Sequence, residues 1–228
     1  MNAIASPTLS ARIAGVRRRI AAACERAGRN AAGVTLIAVS KTQPPEAVAA
    51  AFAEGVTDFG ENRVQEALPK LAVFAAGSLR FHFIGHLQTN KAPAAVGAFA
   101  ILHSIDSERA LRAVDAAAHA RSLRQRVMVE VNIAAEPTKF GIAPANLASL
   151  LHAAAALPHV HVEGLMTVAP RVAEPEGARP IFRALKALAA GNGLPSLSMG
   201  MSDDFEIAIE EGATHVRIGR AIFGGRVP

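Results

Sequence analysis

Short apolar runs alternate with Ala-rich helical patterns along the whole chain, and this alternation limits the possible folds more than any other feature. The strand-like runs fall at 34–40, 56–60, 80–85, 99–104, 126–133, 160–167, 195–199 and 214–218. Helical patterns lie between them, at about 44–54, 61–76, 88–96, 107–122, 144–156, 176–191 and 203–211. Strands separated by helices pair in parallel with right-handed crossovers, and eight such units can close into a barrel. An open doubly wound sheet is the alternative. The first strand–helix turn, Ser40 to Pro45, has no glycine, so it lacks the dinucleotide-binding fingerprint. A further helix precedes the first strand over 7–28, where Leu9, Ile13, Val16, Ile20 and Ala23 recur at three- and four-residue steps. Pro44 and Pro45 suit a helix start, Gly55 a stop, and Pro144 and Pro158 bracket another helix. Residues 134–143 and 168–178 read as longer loops. No linker divides the chain. The expected fold is therefore an α/β protein, a (β/α)8 TIM barrel, with one domain over 1–228 and an extra N-terminal helix.

Composition removes several function classes. With 228 residues, 51% of them hydrophobic, the chain can bury a sizeable core. Its single cysteine, Cys24, allows no internal disulfide and fits a reducing compartment. Cys24 lies in a helical pattern and reads as a packed small residue rather than a nucleophile. The net charge of +5 is modest, and the densest basic cluster is Arg17 to Arg19 with Arg26 and Arg29. With no tyrosine, no tryptophan and no recognition motif, this cluster reads as a solvated helix face and not as a nucleic-acid surface. The basic N-terminus raises the question of a transit peptide, but Glu25 and the amphipathic pattern favour a folded helix. No stretch of 18 uncharged apolar residues reads as a membrane span. The expected setting is cytoplasmic.

Lys41 ends the apolar run from Val34 to Ser40. An ammonium group is strongly hydrated and rarely sits at the end of a buried strand without a reason. The carboxyl end of a barrel strand is where such folds carry their chemistry, and a lysine there can form a Schiff base with a carbonyl. A lysine that merely snorkels to solvent satisfies the same pattern.

Two later segments read as anion sites. In Ser198 to Asp204, two serines and Gly200 lead from a strand into a helix. Hydroxyls and free N–H groups at such a turn suit a phosphate. An ordinary helix cap by Ser202 or Asp203 uses the same residues. In His215 to Arg220, strand alternation puts His215, Arg217 and Gly219 on the barrel interior if Val216 and Ile218 pack outward. A buried arginine needs a partner, and Glu130 is a candidate. Glu130 and Asn132 alternate on the interior face of the fifth strand, as polar lining or in plain interior hydrogen bonds. Gly219 lets a ligand approach the backbone, and Arg220 adds an N–H and a charge. Phosphate sites in these barrels recur after strands seven and eight, where both segments fall.

Strands one, seven and eight around one mouth form a composite site. Lys41 offers an amine for an aldehyde, Ser198, Ser202, Gly219 and Arg220 offer donors to a phosphate, and Arg217 points between them. Pyridoxal 5′-phosphate (PLP), a phosphorylated aromatic aldehyde, fits this set. Only roughly one free lysine in 2,500 is neutral at pH 7, and burial with a nearby arginine favours the neutral, nucleophilic amine.

The motifs Val39–Thr42, Phe59–Asn62 with Val64–Glu66, His82–Lys91, Gly164–Met166, Ser198–Asp204 and Val216–Gly224 resemble those of the pyridoxal phosphate homeostasis protein family. They occur in the same order over nearly the whole chain. The resemblance implies a barrel like the N-terminal domain of alanine racemase. It places the cofactor on Lys41 as a Schiff base, without established turnover. It also implies that Arg217 meets the pyridine nitrogen, that Gly219 and Arg220 N–H groups meet the phosphate with Ser198 and Ser202, and that Asn62 and His82 line the pocket. A cationic partner keeps the ring nitrogen unprotonated and makes the ring a weaker electron sink. Arg63 and His86 stand where the family commonly has an aromatic and a proline.

A fold-type III PLP-dependent amino-acid racemase is the alternative. Its relatives draw an acid/base tyrosine from a second domain, and this chain, which has no tyrosine, ends just after the eighth strand. A Schiff-base aldolase is a second rival. The favoured expectation is a PLP carrier, acting as a monomer, with PLP-dependent apoenzymes as recipients.

Overall fold

The computed structural model describes residues 7–75 and 77–225. Eight parallel strands, β1 (Thr35–Val39), β2 (Asp58–Glu61), β3 (Arg80–Phe83), β4 (Ile101–Ile105), β5 (Gln125–Glu130), β6 (Val160–Met166), β7 (Ser196–Ser198) and β8 (His215–Ile218), close in chain order into a barrel. Each falls within its expected run or oversteps it by one residue. Closure rules out the open sheet. The helices are α1 (Leu9–Arg26), α2 (Pro45–Ala53), α3 (Val64–Leu71), α4 (Ala92–Ala95), α5 (Glu108–His119), α6 (Leu147–Ala155), α7 (Arg179–Gly191), α8 (Phe205–Glu210) and α9 (Arg220–Phe223). The sequence pattern did not anticipate α9. The helix expected over 61–76 is shorter than its pattern because Glu61 belongs to β2; its last position, Ala76, lies outside the described residues. Among the described residues, no helix is long and apolar enough to cross a membrane.

Strand alternation sorts the side chains into two zones. Ala38, Phe59, Phe81, Leu102, Val127, Leu165, Leu197, Val216 and Ile218 point out and form the main core with the helices. Each of the larger side chains, removed from water, contributes about 2 kcal/mol. The opposite face holds a small separate apolar cluster of Ile101, Met128 and Met166, together with buried Asp58, His82, His103, Ser198 and Arg217. An eight-stranded barrel is just wide enough to be filled by side chains, so these groups touch across it.

Thr8 caps α1 by accepting from the Ala11 N–H at 3.2 Å, and Ile13, Val16, Ile20 and Ala23 are buried as the pattern requires. The arginine cluster is not a free solvated face. Arg19 pairs with Glu206 and stacks 4.4 Å over the Phe205 ring, Arg26 pairs with Glu210, and Arg29 donates to the Ala213 carbonyl at 2.9 Å. These contacts tie α1 to α8 and the turn after it. The exposed ion pairs add little individually; the apolar stripe supplies most of the docking energy.

A buried polar knot sits behind the end of β1. Ser40 donates through Oγ to Glu61 Oε1 at 2.7 Å, and Lys70 on α3 donates to the Ser40 carbonyl at 2.8 Å while pairing with the same Glu61 oxygen. Glu61 and Lys70 are both buried. Removing one partner of a buried ion pair leaves an uncompensated charge, which costs about 3–5 kcal/mol. Lys70→Met is therefore expected to lower the denaturant midpoint sharply. The double variant Lys70→Met/Glu61→Gln should recover more than half of that loss. Equal midpoints for the single variant and the parent would show that the pair is not needed.

Candidate functional site

The end of β1 is shaped by a strained turn. The Gln43 N–H donates to the Ser40 carbonyl at 3.0 Å, closing a tight turn with Lys41 and Thr42 at its centre. Thr42 has φ 65°, a left-handed conformation that is costly for a β-branched residue. Strain of this kind persists only where the surroundings enforce it; here the Ser40–Glu61–Lys70 knot holds the residue just before Lys41.

β8 lies directly against this turn. Ile37 pairs with Arg217 and Ala38 with Ile218, and Gly219 approaches Val39. Lys41, Arg217 and Gly219 therefore share one seam. A Cβ on Gly219 would meet its nearest neighbour, Val39, at an ordinary 3.4 Å, and φ is not positive. Neither packing nor backbone conformation demands glycine there. Gly200 differs: φ is +89°, and a Cβ would fall 2.6 Å from the Ala208 side chain, so the β7–α8 turn needs glycine.

Ser198 and Arg217 come together inside the barrel. Arg217 is 4% exposed; it donates to Ser198 Oγ at 2.7 Å and to the Thr167 carbonyl at 2.9 Å. These neutral acceptors hold the guanidinium, in place of a direct bond to Glu130. Burial pushes the Arg217 pKa down, opposed by Glu130 and Asp204, but a guanidinium stays protonated. Ser202 lies in the turn after β7, where its Oγ accepts from the Ala221 N–H at the start of α9 at 3.3 Å. It does not cap α8, and neither does Asp203, whose carboxylate takes the Arg220 guanidinium. The Arg220 side chain is thus turned to Asp203 on the surface, leaving its backbone at the seam. Asp204 precedes α8 and accepts from the Met201 N–H at 2.6 Å.

Asn62 follows β2, and its Oδ1 is buried with no hydrogen-bond partner. Its backbone packs on Gly85, where a Cβ would fall 2.2 Å from the Asn62 carbonyl oxygen. His82 lies within the barrel, 3.0 Å from Asp58 Oδ1 through Nε2 and 2.9 Å from His103 Nε2 through Nδ1. His103 Nδ1 in turn lies 2.9 Å from Ser198 Oγ. Sequence reasoning missed His103, Asp58 and the Lys70–Glu61 pair. For His103 and Asp58 the available signal was an imidazole or a charge inside an apolar strand run; Lys70 and Glu61, in a helical pattern, gave none. Asn132 does not serve as lining; its side chain folds the next loop by donating to the Glu136 carbonyl and accepting from the Glu136 N–H. Beyond it, the Phe140 ring stacks on His86 at 4.0 Å, and His86 pairs with Asp106.

The backbone thus brings Lys41 and the open Gly219 to one seam, with the Arg217 guanidinium fixed inside the barrel. Residues 15–227 match the family model for the N-terminal domain of alanine racemase. The chain is 44% identical over 221 residues to the pyridoxal phosphate homeostasis protein of Aquifex aeolicus, covering 94% of this chain and 97% of that protein. It is 43% identical to the protein of the same name from Pseudomonas aeruginosa, covering 96% of each. A structure of PipY from Synechococcus elongatus with PLP bound superposes with a TM-score of 0.84 at 34% identity, covering 95% of this chain and all of that one. An alanine racemase from Corynebacterium glutamicum, at 20% identity and TM-score 0.69, shares the barrel over 61% of its chain. The fold and seam thus define a barrel of the alanine-racemase N-terminal type. Within that class, the chain belongs to the pyridoxal phosphate homeostasis protein family.

Glu130 titrates unusually. Burial pushes its pKa up to about 7 from 4.5, with Arg217 pulling it down and Asp106 pushing it up. The folded chain thus holds a proton that the unfolded chain releases. This contribution to stability is complete below pH 4.5 and is lost as pH rises through 7. Glu130→Gln should remove that slope, matching the parent in acid and exceeding it by about 3 kcal/mol at pH 8 in denaturant titrations. Parallel pH profiles for the two proteins would contradict it.

Proposed function

We infer that the chain binds PLP at the barrel mouth and takes part in intracellular PLP homeostasis as a carrier, without turnover of a substrate. The observation that carries this reading is the seam itself, where the end of β8 lies against the end of β1 and brings Lys41, Arg217 and Gly219 to one edge. The residues fit the group. Gly219 leaves open a backbone approach that packing does not use, and Asn62 keeps a buried amide oxygen without a partner.

Lys41 would hold the aldehyde carbon. The Gly219 and Arg220 N–H groups with the Ser202 hydroxyl would hold the phosphate, and Arg217 would face the ring nitrogen with Ser198 behind it. Asn62, at the end of β2, and His82, within the barrel, complete the proposed set. Bound there, PLP supplies an aldehyde that condenses reversibly with the lysine amine, releasing water. A fixed guanidinium at the ring nitrogen withholds a proton from it and weakens the ring as an electron sink, which suits holding the cofactor more than catalysis. Sequestering a reactive aldehyde also protects exposed amines elsewhere. PLP-dependent apoenzymes are the proposed recipients, with a monomer as the working unit. A cytoplasmic setting suits the one buried thiol, Cys24.

The test is spectroscopic and chemical. Purified protein mixed with PLP should turn yellow, and borohydride reduction followed by peptide mapping should place the adduct on Lys41. Lys41→Ala should lose both signals. The loaded protein should racemise amino acids no faster than free PLP. An adduct on another lysine would refute the site, and robust racemisation lost in Lys41→Ala would refute the carrier reading.

A further inference from the structure

We propose that His103 is a positioning residue: through Ser198 it fixes the place and hydrogen-bonding direction of Arg217, from the middle of a polar chain that runs through the barrel interior to Asp58. The proposal rests on the reading of Arg217 as the partner of the cofactor ring nitrogen. The interior otherwise packs Ile101, Met128 and Met166. An unbroken file of polar groups through such a space needs every hydrogen bond made, because an unpaired buried polar group costs about 1–3 kcal/mol.

The direction of each bond follows from what each group can do. Arg217 has only donors, so Ser198 Oγ accepts from it. At the other end, burial raises the Asp58 pKa, but hydrogen bonds from His82, Arg80 and Thr57 outweigh this and hold the carboxyl well below its usual range. Asp58 is therefore a carboxylate and only accepts, so His82 donates to it from Nε2. His103 is fully buried, and burial, with the Arg217 charge nearby, keeps it neutral. It therefore has one donor and one acceptor. The buried Ser198 hydroxyl proton needs an acceptor; Arg217 can only donate, so the proton goes to His103 Nδ1. His103 then donates from Nε2 to His82, which accepts at Nδ1.

Every member has one role. The chain runs Arg217 to Ser198, Ser198 to His103, His103 to His82, and His82 to Asp58, always donor to acceptor. Arg80 closes the lower end on Asp58 Oδ1 at 2.7 Å. His215 packs beside both imidazoles, with ring centroids 5.8 Å from His103 and 6.2 Å from His82, and holds them laterally. The Ser198 proton is committed to His103, so this hydroxyl serves Arg217 as an acceptor. His103 is the link whose loss would free both Ser198 and Arg217 to rotate.

Two measurements test this. The first needs no variant and no cofactor: 15N-histidine spectra of the apoprotein at neutral pH should show His82 and His103 each with a proton on Nε2 and a bare, accepting Nδ1. A proton on His103 Nδ1 would overturn the proposal, whether or not PLP binds. The second is PLP titration of His103→Leu and His103→Asn, each checked for a cooperative melt. His103→Leu should bind PLP at least about tenfold more weakly, the loss expected for a hydrogen bond to a charged group, with a shifted visible band but an adduct still on Lys41. His103→Asn keeps an acceptor near Ser198 and should return affinity and band close to the parent. A folded His103→Leu with the parent's band and affinity would overturn the proposal. If His103→Leu does not fold, the tautomer spectra decide. Failure of the parent itself to form the Lys41 adduct would instead strike the site assignment, leaving the tautomer result to judge the chain.

Discussion

Thr35 to Ala38 on β1 pair with His215 to Ile218 on β8, and the rest of the architecture depends on that seam. Without it the strands form an open sheet with two exposed edges and no enclosed interior. With it, Lys41, two residues beyond the first strand, and Gly219, just after the last, come to one edge of the barrel, with Arg217 buried below them. Both the N-terminal helix and the polar knot behind Ser40 brace this region. α1 packs on α8, which follows the β7 turn, and the Lys70–Glu61 pair fixes the backbone just ahead of Lys41.

The interior is an expensive place for charge, and the protein limits that expense by making the charges few and the bonds complete. Arg217 is solvated by a hydroxyl and a carbonyl, and Glu130 avoids a second charge by holding a proton up to about pH 7. His103 and His215 are likewise kept neutral by burial. The guanidinium and the Asp58 carboxylate sit at opposite ends of a hydrogen-bonded chain of Ser198, His103 and His82. Such an arrangement holds the Arg217 guanidinium stiffly in one orientation.

Much of this was written plainly in the chain. The strands follow from local apolar runs, and Lys41 and Arg217 stood out because a charged residue interrupts or ends such a run. What lay hidden depends on partners brought from afar. His103 sits in Ile-Leu-His-Ser-Ile, which reads as an ordinary core strand until β4 and β7 face each other across the barrel. Lys70 looked like one more helix-surface cation; its partner, Glu61, is set by the packing of α3 on β2. The cap of α8 was misassigned because Asp203 is drawn to Arg220, on a short helix that the pattern did not reveal. Nor could composition tell that Arg19, Arg26 and Arg29 are structural ties.

The same seam has a consequence for biosynthesis. Lys41 leaves the ribosome early, whereas Arg217 and Gly219 emerge only with the final turn of the fold. A nascent or truncated chain that lacks β8 can present the amine but neither the guanidinium nor the open backbone beside it. On the proposed site, the contacts to ring and phosphate therefore form in one late step, when the last strand docks on the first.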